Sequence, residues 1–271
     1  MAAPTNVGFI GGGNMGEALI KGLVTSGRLQ AEQIRVSDVD TTRLRSLEAA
    51  YRVVTVAGNG ALARAAEVII LAVKPHHVEA VLAEISGSLD HLPLVISIAA
   101  GVPLARLQKG LGRPVPLIRV MPNTPALVLA GVSAIAAGPR AGTEHLAVAR
   151  LLFEAVGRVV EVSEAAMDAV TALSGSGPAY LFLVMESLID AGVLLGLPRA
   201  VARALVIQTT MGSAKLLDGT EAHPGALKDQ VTSPGGTTIH GLAVLERGGV
   251  RGLLVDAVAA AARRSEELGR K

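Results

Sequence analysis

The stretch Val7-Gly-Phe-Ile-Gly-Gly-Gly-Asn-Met-Gly16 decides the fold of this chain. Its first four residues suit a short buried strand, and the residues after it carry apolar side chains at helical spacing. Between strand and helix, Gly11, Gly13 and Gly16 form a G-x-G-x-x-G pattern. In that context the glycines allow a tight turn, and a pyrophosphate can approach the N–H groups of the helix N-terminus. The stretch therefore predicts a dinucleotide-binding unit.

A second predicted strand, Ile34 to Val36, leads to Asp38, about 20 residues beyond the glycine-rich turn. An acid in this place binds the ribose 2′-hydroxyl of NAD and repels the 2′-phosphate of NADP. Arg43 and Arg45 follow closely and could offset the negative charge. The sequence therefore leaves both NADH and NADPH open as cofactors.

Predicted strands and helices alternate as far as residue 162. Further strands are predicted at Val53–Val56, Val68–Val73, Leu94–Ile98, Leu117–Met121, Val132–Ala136 and Val156–Val162. Strands separated by helices of this length predict an α/β fold of the Rossmann type, with a doubly wound parallel sheet over residues 1–162.

The carboxyl ends of parallel strands form the edge at which such a sheet binds its ligand. The most apolar strand ends at this edge, and Lys74 behind it could approach a phosphate or ribose of the cofactor. The cofactor-binding residues predicted in this way are Gly11, Gly13, Asn14, Met15, Gly16, Asp38, Ala72, Val73, Lys74 and Pro75.

From Glu164 onward the pattern is helical, which predicts a second, all-helical domain over residues 163–271. Ser174-Gly-Ser-Gly-Pro178 is expected to break the chain between two helices. The helix from Ala179 to Leu195 is apolar almost all round, so it must be buried on every side. A bundle of this size cannot bury it alone, and we therefore expect a homodimer with interleaved helices. A surface groove left for another molecule is the alternative.

The composition argues against several classes of function. The chain has 271 residues, a net charge of +2 and no basic stripe, so nucleic acid is not an expected partner. It has no cysteine, and its six histidines form no HExxH pair, so no metal site is predicted. No signal peptide is visible, and three prolines break the longest uncharged run, Val120 to Pro139. We therefore expect a cytoplasmic protein that does not enter a membrane.

A second ligand loop is predicted near the end of the chain, within His223 to Ile239. A short helix leads into Thr232-Ser-Pro-Gly-Gly236, and Thr237 and Thr238 then open a new helix. The glycines let the backbone come close to a ligand, and the free N–H groups of the helix N-terminus suit a small carboxylate. The plainer interpretation is a threonine-capped helix behind a turn.

Five stretches together resemble the pyrroline-5-carboxylate reductase family, and they occur in the family's order. They are Gly8-Phe-Ile-Gly-Gly-Gly-Asn-Met-Gly16, Ala72-Val-Lys-Pro75, Met121-Pro-Asn-Thr-Pro125, Leu173-Ser-Gly-Ser-Gly-Pro-Ala-Tyr180 and His223 to Ile239. The resemblance implies an N-terminal Rossmann domain, a C-terminal helical dimerisation domain and an active site between them. Members of the family often assemble dimers into larger rings.

The resemblance implies reduction of pyrroline-5-carboxylate to L-proline by hydride transfer from NADPH or NADH, the final step of proline biosynthesis. Thr238 matches the family's active-site threonine, whose hydroxyl would orient the imine nitrogen. Asn59 could reach the adenosine ribose, with a role as turn former as the alternative. Glu164 and Glu221 match positions near the substrate pocket, although either could equally be a solvated or dimer-face charge. The predicted substrate-binding residues are Ser233, Gly235, Gly236, Thr237, Thr238, Glu221 and Glu164.

Two other functions compete with this one. A β-hydroxyacid dehydrogenase also combines a Rossmann and a helical domain, but its catalytic lysine and asparagine would fall on Leu181 and Met185 when aligned on Gly175 and Gly177. A non-catalytic dinucleotide sensor is the second alternative. Such a sensor would not need the predicted carboxylate-binding loop within His223 to Ile239. Turnover with and without substrate separates the sensor from the enzyme.

Overall fold

The computed structural model describes residues 4–270 of the chain, and the side chains of residues 4–269. The chain forms two compact units: the first runs to Ser176 and also includes the segment from Ala261, and the second is Gly177–Ala260. The domain boundary at residues 162 and 163 follows the change from strands to helices in the sequence, and it stays a prediction.

An eight-stranded sheet forms the centre of the first unit. Its strands are β1 (Val7–Ile10), β2 (Ile34–Ser37), β3 (Val54–Thr55), β4 (Val68–Leu71), β5 (Leu94–Ser97), β6 (Leu117–Pro122), β7 (Gly131–Ala137) and β8 (Gly157–Glu161). The order across the sheet is β3-β2-β1-β4-β5-β6-β7-β8, and all eight predicted strands are present. The predicted α/β fold with a mainly parallel, doubly wound sheet is therefore confirmed.

One pair of strands departs from the parallel arrangement. β7 runs antiparallel to β6, with Val120 opposite Ile135, while every other pair is parallel. The connection from β6 to β7 holds only the 3-10 turn Thr124–Val128. A parallel neighbour would need a crossover of a dozen or more residues, so this short connection forces the chain to turn back.

Helices cover both faces of the sheet. Those of the first unit are α1 (Asn14–Thr25), α2 (Thr41–Tyr51), α3 (Asn59–Ala65), α4 (Val78–Ile85), α5 (Leu104–Leu111), α6 (Thr143–Phe153) and α7 (Met167–Val170). Successive strand residues enter opposite hydrophobic clusters, because side chains alternate along a strand. Phe9 and Ile70 belong to one cluster, and their neighbours Ile10 and Ile69 belong to the other. Burial on both faces explains why these strands are apolar without alternation.

The expected break at Ser174–Pro178 is narrower than predicted, because only Ser176 interrupts the helices, as a bend before the next helix begins at Gly177. The chain stays helical through the 3-10 turn Glu164–Ala166, α7 and the π-helical turn Thr171–Gly175. The N–H of Ser176 donates to the Thr171 carbonyl at 2.9 Å, which is the wide turn of a π-helix. The wider turn keeps the backbone of the glycine-rich stretch hydrogen-bonded, so no loop is needed.

The second unit is helical throughout its regular structure. It contains α8 (Gly177–Leu194), α9 (Arg199–Asp218), α10 (Pro224–Gln230), α11 (Thr237–Arg247) and the beginning of α12 (Val250–Arg270). Gly192 allows α8 and α9 to pack closely, because a Cβ atom there would lie 2.9 Å from the Cβ of Ala202. The end of α12 belongs to the first unit, where the Ser265 hydroxyl donates to Asp168 at 2.6 Å.

Helix α8 has no buried residue in the single chain. Leu188 is 53% exposed and Leu194 is 86% exposed, and the same is true of many apolar side chains on the neighbouring helices. By length and composition alone, the helical stretch Glu164–Leu194 could also cross a membrane. So large an exposed apolar surface marks a site of interaction with another protein or with a membrane.

Candidate cofactor and substrate sites

A cavity of about 660 Å³ lies in the first unit at the carboxyl edge of the sheet. Its volume is within the range of sites for small molecules and cofactors. Nine of the predicted cofactor residues line it, namely Gly11, Gly13, Asn14, Met15, Asp38, Ala72, Val73, Lys74 and Pro75. The structure therefore brings together residues from three separate stretches of the sequence.

The motif glycines Gly11, Gly13 and Gly16 play different structural roles in the turn between β1 and α1. Gly11 has φ of 101°, and a Cβ atom there would lie 2.7 Å from the Ala72 carbonyl oxygen. A Cβ atom on Gly16 would lie 2.6 Å from the Gly11 carbonyl oxygen, so these two glycines shape the turn. At Gly13 a Cβ atom would meet nothing within 4 Å, and no side chain caps α1 there. This open, uncapped N-terminus fits the pyrophosphate of a dinucleotide.

Asp38 lines the cavity and holds two backbone N–H groups at once. Gly12 donates to its Oδ2 atom at 2.6 Å, and Asp40 donates to its Oδ1 atom at 2.9 Å. The carboxylate of Asp40 in turn caps α2, accepting from the N–H groups of Thr42 at 2.9 Å and Arg43 at 3.2 Å. The acid predicted to meet the ribose therefore also fixes the glycine-rich turn.

A network that the sequence did not reveal surrounds Arg43. Its Nε atom donates to the Gly12 carbonyl at 2.6 Å, and a terminal nitrogen forms a hydrogen-bonded ion pair with Glu17. The Tyr51 hydroxyl donates to the second oxygen of Glu17 at 3.0 Å. Burial acts to raise the pKa of Glu17, but the hydrogen bonds from Arg43 and Tyr51 and the charge of Arg43 outweigh it, so the pKa lies below its usual value. Burial and the bond to Glu17 raise the pKa of Tyr51.

Asn59 does not line the cavity. Its side-chain oxygen accepts from the Ser37 hydroxyl at 2.7 Å, and its side-chain nitrogen donates to Glu84 at 2.7 Å. The side chain thus joins β2 to α4 at the start of α3. Its contact with the adenosine ribose stays a prediction.

Several residues at the cavity were not predicted as site residues. Met121, Thr124 and Leu127 line it from the end of β6 and the turn that follows. The sequence did contain a signal for these residues, because Met121-Pro-Asn-Thr-Pro125 is one of the five family motifs. The hydrophobic pattern alone, however, assigned this motif no chemical role. His77 also lines the cavity, close behind the predicted Lys74 and Pro75.

The π-helical turn packs directly on Met121. A Cβ atom on Gly175 would lie only 2.6 Å from the Met121 Cε atom. Beside this contact, Asn123 accepts from the Val132 N–H at 3.0 Å, and its amide nitrogen lies 3.3 Å from the Ser174 hydroxyl. The Ser-Gly-Ser-Gly motif therefore supports the wall of the cavity that Met121 forms.

Glu164 is held by other groups of the first unit. The Leu104 N–H at the start of α5 donates to its carboxylate at 2.6 Å, and Arg119 lies 3.6 Å from the same oxygen. Arg119 is only 6% exposed, so Glu164 neutralises a buried charge. Its contact with substrate stays a prediction, as does that of Glu221, which is exposed between α9 and α10.

The predicted carboxylate loop forms a glycine-bounded helix N-terminus in the second unit. Gly235 has φ of 67°, and Gly236 donates to the Ser233 carbonyl at 3.1 Å. Helix α11 begins at Thr237, as predicted. The interpretation of Thr238 as a cap is wrong, because Gly236 is the N-cap residue and no side chain caps the helix. The first-turn N–H groups therefore lack a side-chain partner, which is the condition for holding a carboxylate.

Comparison with known proteins gives matches over both parts of the chain. A family model described as pyrroline-5-carboxylate reductase dimerisation matches residues 164–268, and one described as NADP oxidoreductase coenzyme F420-dependent matches residues 6–101. A pyrroline-5-carboxylate reductase from Synechocystis sp. is 51% identical over 265 residues, which are 98% of each chain. The chain belongs to the pyrroline-5-carboxylate reductase family.

Solved structures of family members agree with this assignment. A pyrroline-5-carboxylate reductase from Coxiella burnetii superposes with a TM-score of 0.94 at 38% identity, covering 99% of this chain and all of the other. A pyrroline carboxylate reductase from Plasmodium falciparum, solved with NADP bound, gives 0.89 at 33% identity, with 99% of each chain covered. The family resemblance is therefore confirmed over the full length, and the helical part carries the family's dimerisation domain.

Proposed function

We propose that this protein is an NAD(P)H-dependent pyrroline-5-carboxylate reductase, which transfers a hydride to the imine carbon and yields L-proline. The observation that carries the proposal is the full-length match to pyrroline-5-carboxylate reductases at up to 51% identity. The geometry supports it at two places, the uncapped turn at Gly13 and the uncapped start of α11 at Gly236. Residues 1–162 are assigned to the cofactor, and residues 163–271 to dimerisation and substrate.

The cofactor would be held by the glycine-rich turn and by the strand ends beside it. The N-terminus of α1 would bind the pyrophosphate and Asp38 the adenosine ribose, while Lys74 and Pro75 line the cavity after β4. When bound, NADPH or NADH supplies the hydride. Met121 and Thr124 line the cavity at the end of β6, where their side chains would exclude water from part of the cofactor.

The substrate is a small cyclic imine with one carboxylate. The N–H groups at Thr237 and Thr238 can hold that carboxylate without a basic side chain, by charge-assisted hydrogen bonds at a helix N-terminus. Gly236, whose own N–H donates to the Ser233 carbonyl, would let the loop come close to the substrate. The Thr238 hydroxyl would orient the imine nitrogen, which is a positioning role, because a threonine hydroxyl is a poor acid and an iminium needs no further proton. Ser233, Gly235, Glu164 and Glu221 complete the proposed set of substrate residues.

A homodimer covers the apolar surface of the second unit in this proposal. The residues exposed on α8 in the single chain include Leu181, Phe182, Leu188 and Leu194, and a second copy of the same helix surface would bury them. Dimers could assemble further into a ring. With this surface covered, the protein would be cytoplasmic, and the apolar stretch Glu164–Leu194 would be an interface helix that does not enter a membrane.

The test is NAD(P)H oxidation with racemic pyrroline-5-carboxylate, run beside 3-hydroxyisobutyrate with NAD(P) in the reverse direction. We expect oxidation of the cofactor only when the imine is present, and no turnover of the hydroxyacid, because Leu181 and Met185 replace the lysine and asparagine that it needs. Steady turnover of the hydroxyacid without any reduction of the imine would refute the proposal. Cofactor binding without turnover of either substrate would favour the sensor.

A further inference from the structure

We infer that the adenosine end of the cavity is built for the 2′-hydroxyl of NADH, and that Arg43 is a positioning residue for the glycine-rich turn and not a ligand of a 2′-phosphate. The inference rests on the proposed function for the presence of a nicotinamide cofactor. It goes beyond that function because it names the cofactor and assigns Arg43, Glu17 and Tyr51 a part in binding it.

Arg43 is the basic residue placed best by sequence to meet a 2′-phosphate, but its guanidinium is already engaged. The Nε atom donates to the Gly12 carbonyl at 2.6 Å, and a terminal nitrogen is paired with Glu17. Tyr51 holds Glu17 from the other side at 3.0 Å. Arg43 does not line the cavity, and two of its three guanidinium nitrogens are held by Gly12 and Glu17.

Four backbone N–H groups near this end of the cavity are also taken by carboxylates. At the N-terminus of α2, Asp40 accepts from the N–H groups of Thr42 and Arg43. Asp38, which lines the cavity, accepts from the N–H groups of Gly12 and Asp40. A phosphate at this end would therefore meet the carboxylates of Asp38 and Asp40, and the four N–H groups bonded to them are not free to bind it. A ribose hydroxyl, in contrast, can donate to Asp38.

Gly12 shows what Arg43 does instead. Both backbone polar groups of Gly12 are held by side chains, its N–H by Asp38 and its carbonyl by Arg43. A Cβ atom on Gly12 would lie 2.6 Å from the Leu47 Cδ1 atom, so α2 also packs on this residue. Gly12 lies between the two glycines that shape and open the turn, so loss of Arg43 should loosen the pyrophosphate site for either cofactor.

The experiment measures the dissociation constants of NAD⁺ and NADP⁺ by calorimetry on the full-length protein, without any imine. The wild-type protein should bind NAD⁺ at least about tenfold more tightly than NADP⁺. Arg43→Met should weaken both cofactors by one common factor, about 3- to 10-fold. Arg43→Lys should behave like the methionine variant, because lysine keeps the charge but lacks the planar fork that reaches Gly12 and Glu17 together. Arg140→Met removes an exposed arginine of the first unit that does not line the cavity; it is the matched control and should change neither constant.

Two results would overturn the inference. One is wild-type binding of NADP⁺ as tight as or tighter than that of NAD⁺. The other is a selective loss of NADP⁺ binding in Arg43→Met that Arg43→Lys restores, which would make Arg43 a phosphate ligand. Circular dichroism at the titration temperature shows that each variant is folded. A protein that prefers NAD⁺ but does not reduce the imine would contradict the proposed function and leave this inference standing.

Discussion

The carboxylate of Asp38 accepts a hydrogen bond from the backbone N–H of Gly12 at 2.6 Å. The residue after β2 would therefore act on both halves of the predicted cofactor, because it is predicted to meet the ribose and it holds the turn that is predicted to meet the pyrophosphate. Replacing it should change the overall affinity for cofactor as well as the choice between NADH and NADPH.

We predict that Asp38→Ser raises the preference for NADPH over NADH by roughly 1–3 kcal/mol, the range for charged hydrogen bonds gained or lost. Both cofactors should also bind less tightly, because the Gly12 N–H loses its carboxylate partner. The ratio of kcat/KM for the two cofactors at a fixed imine concentration isolates the first effect from the second. Glu48→Gln removes an exposed acid from α2 away from the cavity and is the control. An unchanged ratio in Asp38→Ser would show that Asp38 does not select the cofactor.

Thr238→Ala should reduce kcat/KM about 10- to 100-fold, because a positioning hydrogen bond is worth about 1–3 kcal/mol. The melting temperature should hardly change, since Gly236 and not Thr238 is the N-cap residue of α11. Binding of NAD(P)H should stay close to normal, because the turn at Gly11 to Gly16 is untouched. Thr237→Ala shares the helix end and serves as the control. A variant that melts earlier but keeps wild-type kcat/KM would remove Thr238 from the catalytic assignment.

A charge on the apolar surface of α8 should prevent assembly. Leu188→Asp or Leu194→Asp places a carboxylate where a second copy must pack, so we expect insoluble or unfolded protein at concentrations where the wild type is a dimer by light scattering. Leu92→Asp is a matched control, because Leu92 is 48% exposed in the first unit and its positive φ of 53° suits aspartate. A folded, active monomer of either α8 variant at micromolar concentration would contradict an obligate dimer.

Gly175→Ala should disturb the cavity through Met121. The new Cβ atom would lie 2.6 Å from the Met121 Cε atom, so the methionine must move or the π-helical turn must open. We expect a loss of stability of no more than about 1 kcal/mol, because the Met121 Cε atom is the end of a flexible side chain that can move. Cofactor binding should weaken in titrations, because Met121 lines the cavity. Gly177→Ala is the control, because a Cβ atom there meets nothing within 4 Å. Adding Met121→Ala to Gly175→Ala should restore part of the stability, and failure to do so would show that the clash is not with Met121.

Most of the fold could be predicted because its signals are local. The alternation of apolar strands with amphipathic helices gave all eight strands, and Gly11, Gly13 and Gly16 gave the turn after the first of them. The reversal of β7 was missed although its cause was in the sequence, namely the short connection from Pro122 to Gly131. The π-helical turn was missed because glycine and serine lower helix propensity, whereas its backbone hydrogen bond from Ser176 to Thr171 and its close packing on Met121 are features of the folded chain.

The cofactor cavity could be predicted from motifs, but its internal connections could not. Glu17, Arg43 and Tyr51 lie on two helices, and no spacing rule pairs residues that are 26 and 34 positions apart. Asn59 shows a second limit, because the sequence suggested a ribose contact or a turn, and only the structure shows that Ser37 and Glu84 hold its side chain. Gly236 as the cap of α11 follows from backbone geometry, which the neighbouring threonines concealed.

The central claim is that this protein moves a hydride from NAD(P)H to the imine carbon of pyrroline-5-carboxylate. The most direct measurement supplies cofactor deuterated at the transferable position, in separate reactions for NADH and NADPH, and analyses the product by mass spectrometry. We predict L-proline that carries one deuterium on the ring carbon bonded to nitrogen and remote from the carboxylate, in an amount equal to the cofactor oxidised. Cofactor oxidation without labelled proline, or no oxidation of either cofactor by the intact dimer, would contradict the account.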